Sequence, residues 1–188
     1  MEHQETEIKL RADDPGAVLA CLESLGSILC RKRHFEDNYV LDYRNGRIRR
    51  NGSLLRVRLT GRRATLTYKG PSQILHRVKA RREVETAVAD GIVLLALLEG
   101  LGLRTVFRYQ KYRTIFRCGA LLITLDETPI GSYFEIEGAP SRIETLAKRL
   151  GYGRKEFITK TYFELFTSYR EANRVPSRDM VFSIKASK

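Results

Sequence analysis

The sequence lacks a long apolar run. Its longest, Ile92 to Leu98, falls far short of the roughly 18–20 residues a membrane helix needs, so a helical membrane protein is not expected. The opening residues, MEHQETEIKL, carry acids and no apolar stretch, which speaks against a secretory signal. Cysteine is scarce. Cys21, Cys30 and Cys118 are odd in number and form no CxxC pair, so a disulfide framework is excluded and a reducing, cytoplasmic setting is expected. The histidines, His3, His34 and His76, show no metal-ligand spacing. Neither GxxxxGK[ST] nor GxGxxG occurs, which removes the P-loop and the dinucleotide fingerprint.

Basic residues are plentiful. The 188 residues hold 34 Lys and Arg against 22 Asp and Glu, a formal charge of +12. The sequence pI is near 9.9. At 43% hydrophobic and 30% charged, the chain can bury a core, and its length fits one domain with at most a tail. The surplus of base calls for an anionic partner: nucleic acid, a membrane surface or a phosphorylated small molecule.

Four helices are expected. They span Pro15 to Leu25, Asp90 to Leu101, Ser141 to Leu150 and Thr161 to about Arg170. The first three stop at Gly26, Gly102 and Gly151, and the last two open with the capping boxes Ser141/Glu144 and Thr161/Glu164. Strands are expected at Glu5–Arg11, Asp37–Tyr43, Leu54–Gly61, Arg63–Lys69, Val78–Ala87, Tyr109–Phe116, Ala120–Glu127 and Ser132–Glu137. Asn45-Gly46 and Asn51-Gly52 mark turns. The class is α+β, dominated by antiparallel sheet. Residues 171–188 read as a basic tail or, over Asp179 to Lys185, one more strand.

The chain echoes itself. The pairs Glu5/Glu7, Glu83/Glu85 and Glu135/Glu137 each precede a helix ending in Leu-Gly. Three acidic strands are therefore expected in comparable places in the sheet. Alternate residues share a strand face. Glu5, Glu7 and Lys9 point one way, as do Arg56 and Arg58, Arg81, Glu83 and Glu85, and Lys111 and Arg113. For a single strand the bland interpretation is a solvated face over an apolar core. Across all of them, charges come in like-signed pairs with few neutral polar residues between. If the sheet curls with its apolar outside under the helices, this face lines the interior. Unpaired charge there is costly. The bases call for an anion rich in oxygen, and the acids for a hard divalent cation. The expectation is a metal-assisted polyphosphate site.

The motifs Glu5-x-Glu7-x-Lys9, Leu55-Arg56-Val57-Arg58, Leu66-Thr67-Tyr68-Lys69-Gly70-Pro71, Arg81-x-Glu83-x-Glu85, Lys111-x-Arg113, Leu125-Asp126-Glu127, Gly131-Ser132-Tyr133-Phe134-Glu135-Ile136-Glu137 and Thr161-Tyr162-Phe163-Glu164-Leu165 occur in one order. That ordered set resembles the CYTH superfamily, the triphosphate tunnel metalloenzymes, over residues 5 to about 166. Asp37-Asn38-Tyr39, TYKGP and GSYFEIEG are most like the class IV adenylate cyclase branch, although Val40 and Ile130 depart from it.

The resemblance implies an eight-stranded antiparallel β-barrel, a tunnel with flanking helices, in a domain of residues 1–170. It implies that Lys9, Arg56, Arg58, Lys69, Lys111 and Arg113 grip a triphosphate, with Arg81 of second rank. Lys9, Lys111 and Arg113 would be catalytic. Glu5, Glu7, Asp126, Glu135 and Glu137 would hold Mg²⁺ or Mn²⁺, and Glu83 and Glu85 would bind metal or order the bases. The implied activity is a class IV-like adenylate cyclase, ATP giving cyclic AMP and pyrophosphate. The alternative is a triphosphatase acting on inorganic triphosphate, thiamine triphosphate or a nucleoside triphosphate. Dimers occur among relatives, so a homodimer is an option. A rival class is a nucleic-acid-binding module, suggested by Arg31-Lys32-Arg33, Arg47, Arg49-Arg50 and Arg62-Arg63. No aromatic-interleaved RNA motif supports it, and a solvated basic surface explains these clusters better.

Overall fold

The structure is a computed structural model describing residues 2–75 and 78–183. In chain order its elements are β1 (Glu2–Arg11), α1 (Pro15–Ser24), β2 (Ile28–Tyr43), α2 (Arg47–Arg50), β3 (Leu54–Thr60), β4 (Arg63–Lys69), β5 (Gln73–Leu75), β6 (Val78–Val88), α3 (Gly91–Gly100), β7 (Leu103–Cys118), β8 (Leu121–Thr128), β9 (Gly131–Glu137), α4 (Pro140–Arg149) and α5 (Tyr162–Asn173).

The strands run in the order β1-β9-β8-β7-β2-β3-β4-β6, every pair antiparallel. Pairing of β1 with β6, from Glu2 opposite Val84 to Glu7 opposite Lys79, closes the sheet. The result is a closed eight-stranded antiparallel β-barrel, which leaves no free sheet edge along the ring. Short β5 pairs with the start of β6 beside the ring. The three acidic strands are consecutive: β1 lies between β6 and β9.

Alternation sorts the side chains. Ile8, Leu10, Ile123, Phe134 and Ile136 point outward and are buried under α1 and α4, joined by Leu22, Ile143 and Leu146. Leu41, Val57 and Leu103 are covered by α3 through Leu94, Leu95 and Leu98. At Gly91 an added Cβ would collide with Leu59 and Ala64, so glycine there lets α3 sit directly on the barrel wall. Phe107, Tyr109 and Tyr133 pack with Tyr162 and Phe166 of α5.

Some details depart from expectation. β2 starts at Ile28 and β7 at Leu103, well before the alternating segments. These early residues form a ribbon whose register slips at Leu29/Arg31 and Arg31/His34, which breaks the period-2 pattern. The expected capping box at Ser141/Glu144 is not formed. The helix starts one residue earlier, on Pro140, with Ala139 at its N-cap. Proline needs no amide partner at a first helical position, and Glu144 instead takes Arg154 at 2.8 Å. The box at Thr161/Glu164 is present. Helix α2 and strand β5 have no counterpart in the sequence expectations.

After α5, Met180 is fully buried and forms a parallel bridge to Tyr109. The expected strand over Asp179 to Lys185 is thus a single bridge, and residues 184–188 lie outside the described residues. No helix among the described residues is long and apolar enough to cross a membrane.

Candidate functional site in the barrel interior

The barrel encloses a cavity of about 380 Å³ lined by charge. Of the fourteen side chains singled out from sequence, thirteen line it: Lys9, Arg56, Arg58, Lys69, Arg81, Lys111, Arg113, Glu5, Glu7, Glu83, Glu85, Glu135 and Glu137. Asp126 is the exception. It is wholly buried, its Oδ2 taking Lys111 Nζ at 2.8 Å, Arg113 Nη2 at 2.6 Å and the Tyr162 hydroxyl at 2.7 Å.

Strand order divides the lining. Strands β6, β1 and β9 carry Glu83, Glu85, Glu5, Glu7, Glu135 and Glu137 on one wall, with Lys79, Arg81 and Lys9 set among them. Strands β3, β4 and β7 bring Arg56, Arg58, Lys69, Lys111 and Arg113 to the other. Cross-strand register then sets acid beside base: Glu5 opposite Arg81, Lys9 opposite Glu135, Lys69 opposite Glu83, Arg113 opposite Asp126.

The ion pairs follow that register. Lys69 Nζ lies 2.6 Å from Glu5 and 2.6 Å from Glu83. Arg81 Nε donates to Glu5 at 3.0 Å. Lys9 meets Glu135 at 3.1 Å, and Arg113 bridges Asp126 and Glu135 at 2.6 Å each. Arg56 donates to the Thr67 hydroxyl at 3.2 Å, which in turn donates to Glu85 at 2.6 Å.

These contacts shift the titrations. Burial opposes charge on Glu5, but Lys69 and Arg81 outweigh it and hold the carboxyl at about 2. Burial likewise opposes charge on Glu135, and Lys9 and Arg113 hold it well below the usual range. Glu7 goes the other way. Burial, then the neighbouring charges of Glu135 and Glu5, push it up, while Arg81 Nη2 is no nearer than 3.7 Å.

Four further side chains at the site were not singled out in the sequence. Lys79 lines the cavity two residues before Arg81 on the same face. Burial, then Arg81, pull its ammonium down to about 8. Glu36, 2% exposed, pairs with Arg58 at 3.3 Å and Lys111 at 3.6 Å. Burial works against ionising Tyr109, but Arg56, Lys111 and Arg58 bring it to about 8. Tyr162 reaches in from the start of α5, its ring 4.4 Å from Lys9 Nζ and 5.2 Å from Lys111 Nζ. Alternation from Arg81 and Lys111 gives Lys79 and Tyr109. Glu36 needed the early start of β2, and Tyr162 sits in the Thr161-to-Leu165 motif, which gave no sign that its phenol enters the barrel. Glu36 and Lys79 add one charge of each sign, so the interior stays balanced and the surplus of +12 lies outside it.

Among the described residues no three acids are gathered as a finished metal cage. The donor chemistry still fits a hard divalent cation. Glu7 is a buried carboxyl held against two other carboxylates, and a cation beside it would relieve that repulsion. Glu7, Glu135 and Glu137, with Glu5 beside them, would hold it.

A second cavity of about 750 Å³ continues from the first. The two share Val40, Leu54, Lys79, Arg81, Phe107, Thr161 and Phe163. Its further walls include Tyr43, Ile48, Arg49, Ile74 and Lys160. Of the basic clusters, Arg49 lies on this wall, whereas Arg33 pairs with Glu127 and lies 3.5 Å over Tyr112.

Known proteins share this architecture. A protein of Methanocaldococcus jannaschii named "Putative adenylate cyclase MJ0240" is 29% identical over 175 residues, covering 86% of this chain and 97% of that one. A Vibrio parahaemolyticus structure, also titled a putative adenylate cyclase, superposes with a TM-score of 0.78 at 20% identity, over 87% of this chain and 97% of its own. A Hippeastrum protein, titled as a putative adenylyl cyclase with a dominant triphosphatase activity, gives 0.68 at 23% identity, over 88% and 96%. The family model for the CYTH domain matches residues 3–162. The chain belongs to the CYTH domain family.

Proposed function

We propose that the protein is a divalent-metal-dependent enzyme that binds a nucleoside triphosphate inside the barrel, and that it acts as an adenylate cyclase. The observation that carries this reading is the charged lining, eight bases around a cavity whose six glutamates cluster on β6, β1 and β9, opening onto a partly apolar cavity beside Phe107 and Phe163. A chain of three phosphates needs the bases. An inorganic triphosphate would leave the second cavity unused, whereas a nucleoside suits its mix of aromatic and basic walls. The names carried by the archaeal and Vibrio relatives agree with a cyclase.

Arg56, Arg58, Lys69, Lys111 and Arg113 would take the phosphate oxygens. The guanidinium groups do so in two-pronged fashion and neutralise the charge that develops on departing pyrophosphate. Lys9 and Tyr162 would fix the far end of the chain. Mg²⁺ or Mn²⁺ held by Glu7, Glu135 and Glu137 would polarise phosphoryl oxygens. In the cyclase the ribose 3′-oxygen bonds to the α-phosphorus. The bond from that phosphorus to the α,β-bridging oxygen breaks, pyrophosphate leaves, and the hydroxyl proton passes to solvent. Positioning supplies most of the rate.

A product-resolved assay with ATP and Mn²⁺ tests the proposal. Cyclic AMP and pyrophosphate in equal amounts are expected. Phosphate release from ATP or inorganic triphosphate, with no cyclic AMP, replaces the cyclase by a triphosphatase, the activity named for the Hippeastrum relative. A protein that binds RNA with a steep salt slope and ignores triphosphate would overturn both.

A further inference from the structure

Strand β7 outruns one of its neighbours. It pairs with β2 from Leu103 to Arg117, but β8 reaches it only from Tyr112 to Cys118. At residues 108–110 the side turned away from β2 would leave bare amides and carbonyls in the barrel wall. Residues after α5 take that place. Arg174, in the left-handed region at φ 52°, ends α5 and turns the chain. Residues 179–182 then lie beside β7, with Met180 in a parallel bridge to Tyr109. Asp179 Oδ1 accepts the Arg108 amide at 2.8 Å. The Met180 amide donates to the Arg108 carbonyl at 3.0 Å, and its carbonyl accepts the Gln110 amide at 2.8 Å. The Phe182 amide donates to Gln110 Oε1 at 3.1 Å, and the Phe182 ring packs 5.3 Å from that of Tyr112.

The side chain of Met180 carries this contact to the site. It is fully buried in one cluster with Phe107, Tyr109, Tyr133, Tyr162 and Phe166. Two of these rings, 5.7 Å apart, hold hydroxyls among the charges of the barrel. The Tyr109 hydroxyl accepts from Arg56 at 3.4 Å, and the Tyr162 hydroxyl donates to Asp126 at 2.7 Å. Arg56 and Arg58 of β3 and Lys111 of β7 all act on the Tyr109 phenol. A thioether is apolar and adaptable, and it fills the irregular space that rings leave between them. Without it both phenols gain room to turn. The segment lies past residues 3–162, the part that matches the family model, so the family pattern does not account for it.

We propose that residues 179–182 are part of the catalytic barrel: they complete its wall beside β7, and Met180 is a positioning residue that holds the phenols of Tyr109 and Tyr162 against Arg56 and Asp126. This rests on the reading of the barrel as a triphosphate site, not on which product the enzyme makes.

Two readings on the full chain test it. The first is tyrosine ionisation, followed by ultraviolet difference absorbance. One of the nine tyrosines of the wild type should ionise near pH 8, and Tyr109→Phe should remove that step. In Met180→Ala the step should move up toward the ordinary value of 10, because the bases no longer meet the phenol squarely. The second is consumption of ATP with Mn²⁺, counted whichever product forms, so that a triphosphatase result sinks the cyclase and leaves this test standing. Met180→Ala should lower kcat by about tenfold or more. Met180→Leu, which keeps the volume, should restore both readings. Leu22→Ala, equally buried but under α1, should lower stability and leave both readings alone. If Met180→Ala does not fold, Asp179→Ala, at a half-buried position, decides on the same two readings. A phenol that still ionises near 8 in the folded variant overturns the proposal. So does turnover within about twofold of wild type, or an equal loss in Leu22→Ala.

Discussion

Lys69 donates to both carboxylate oxygens of Glu5 at 2.6 Å, deep inside the barrel, where each side chain is less than a tenth exposed. The pair spans the closing seam, since Glu5 lies on β1 and Lys69 reaches across from β4 past β6. Losing one partner of a buried pair leaves an uncompensated charge, at about 3–5 kcal/mol. Lys69→Met should lower stability by that order in urea denaturation, and adding Glu5→Gln should return part of it. An unchanged midpoint in the single variant would show that water already solvates these groups.

Glu7 should behave in the opposite way. Its carboxyl is raised by burial and by Glu135 and Glu5, so the folded state holds the proton more tightly than the unfolded chain. The neutral form is therefore the stabilising one. Its contribution is complete below the ordinary value of 4.5 and is lost as pH rises through the folded value. Glu7→Gln should be more stable than wild type at pH 7, and the gap should close as the pH falls toward 4.5. The same variant should lose the thermal stabilisation that Mn²⁺ alone gives the wild type, and its turnover should fall at least a hundredfold. A variant that gains stability yet keeps its Mn²⁺ response would remove Glu7 from the metal-holding set.

Much of this was legible in alternation. Each like-charged pair, from Glu5/Glu7 to Glu135/Glu137, reached the cavity because a strand keeps its period of two whatever the sheet does. Closure was not legible from residue pattern alone, because pairing of β1 with β6 joins residues about 75 apart and no local signal encodes it. The fate of Asp126 was hidden for the same reason. Its strand position faces inward, but the phenol that covers it comes from a helix 36 residues away. Glu36 was missed because the charge-rich run from Arg31 to Glu36 shows no apolar alternation, although its ladder with β7 is unbroken from His34 to Val40.

Binding of a triphosphate should take up protons near pH 8. Lys79 is drawn down to about 8 by burial and by Arg81. Tyr109 is brought to about 8 because Arg56, Lys111 and Arg58 outweigh its burial. A polyanion reverses both effects. It favours the charged ammonium and cancels the bases that favour phenolate, so both values rise and both groups bind protons. Affinity should fall as pH rises through 8. Calorimetry at pH 8 with a non-hydrolysable ATP analogue, in buffers of different ionisation enthalpy, should show uptake of up to about one proton, since each group is about half protonated beforehand. Lys79→Met should reduce it. Proton release at pH 8 would contradict the placement of phosphate beside these residues.

Phe163 lies on the wall shared by the two cavities, its ring 5.2 Å from that of Phe107 in an edge-to-face contact. If the second cavity seats the nucleoside, this ring contacts the base and not the phosphates. Base–aromatic contact is worth about 1–3 kcal/mol, or roughly a fivefold to hundredfold change in affinity. Phe163→Ala should therefore raise the KM for ATP by at least about fivefold. The inhibition constant for inorganic triphosphate, which needs only the bases of the barrel, should stay within about twofold. The comparison separates the two roles, because a general loosening of α5 would move Tyr162 away from Lys9 and Lys111 and weaken both ligands together. Equal loss for ATP and inorganic triphosphate would place the nucleoside elsewhere. Selective loss for ATP would fix the organic end of the substrate beside Phe163, with the phosphates running inward past Lys79 to the bases of β3, β4 and β7.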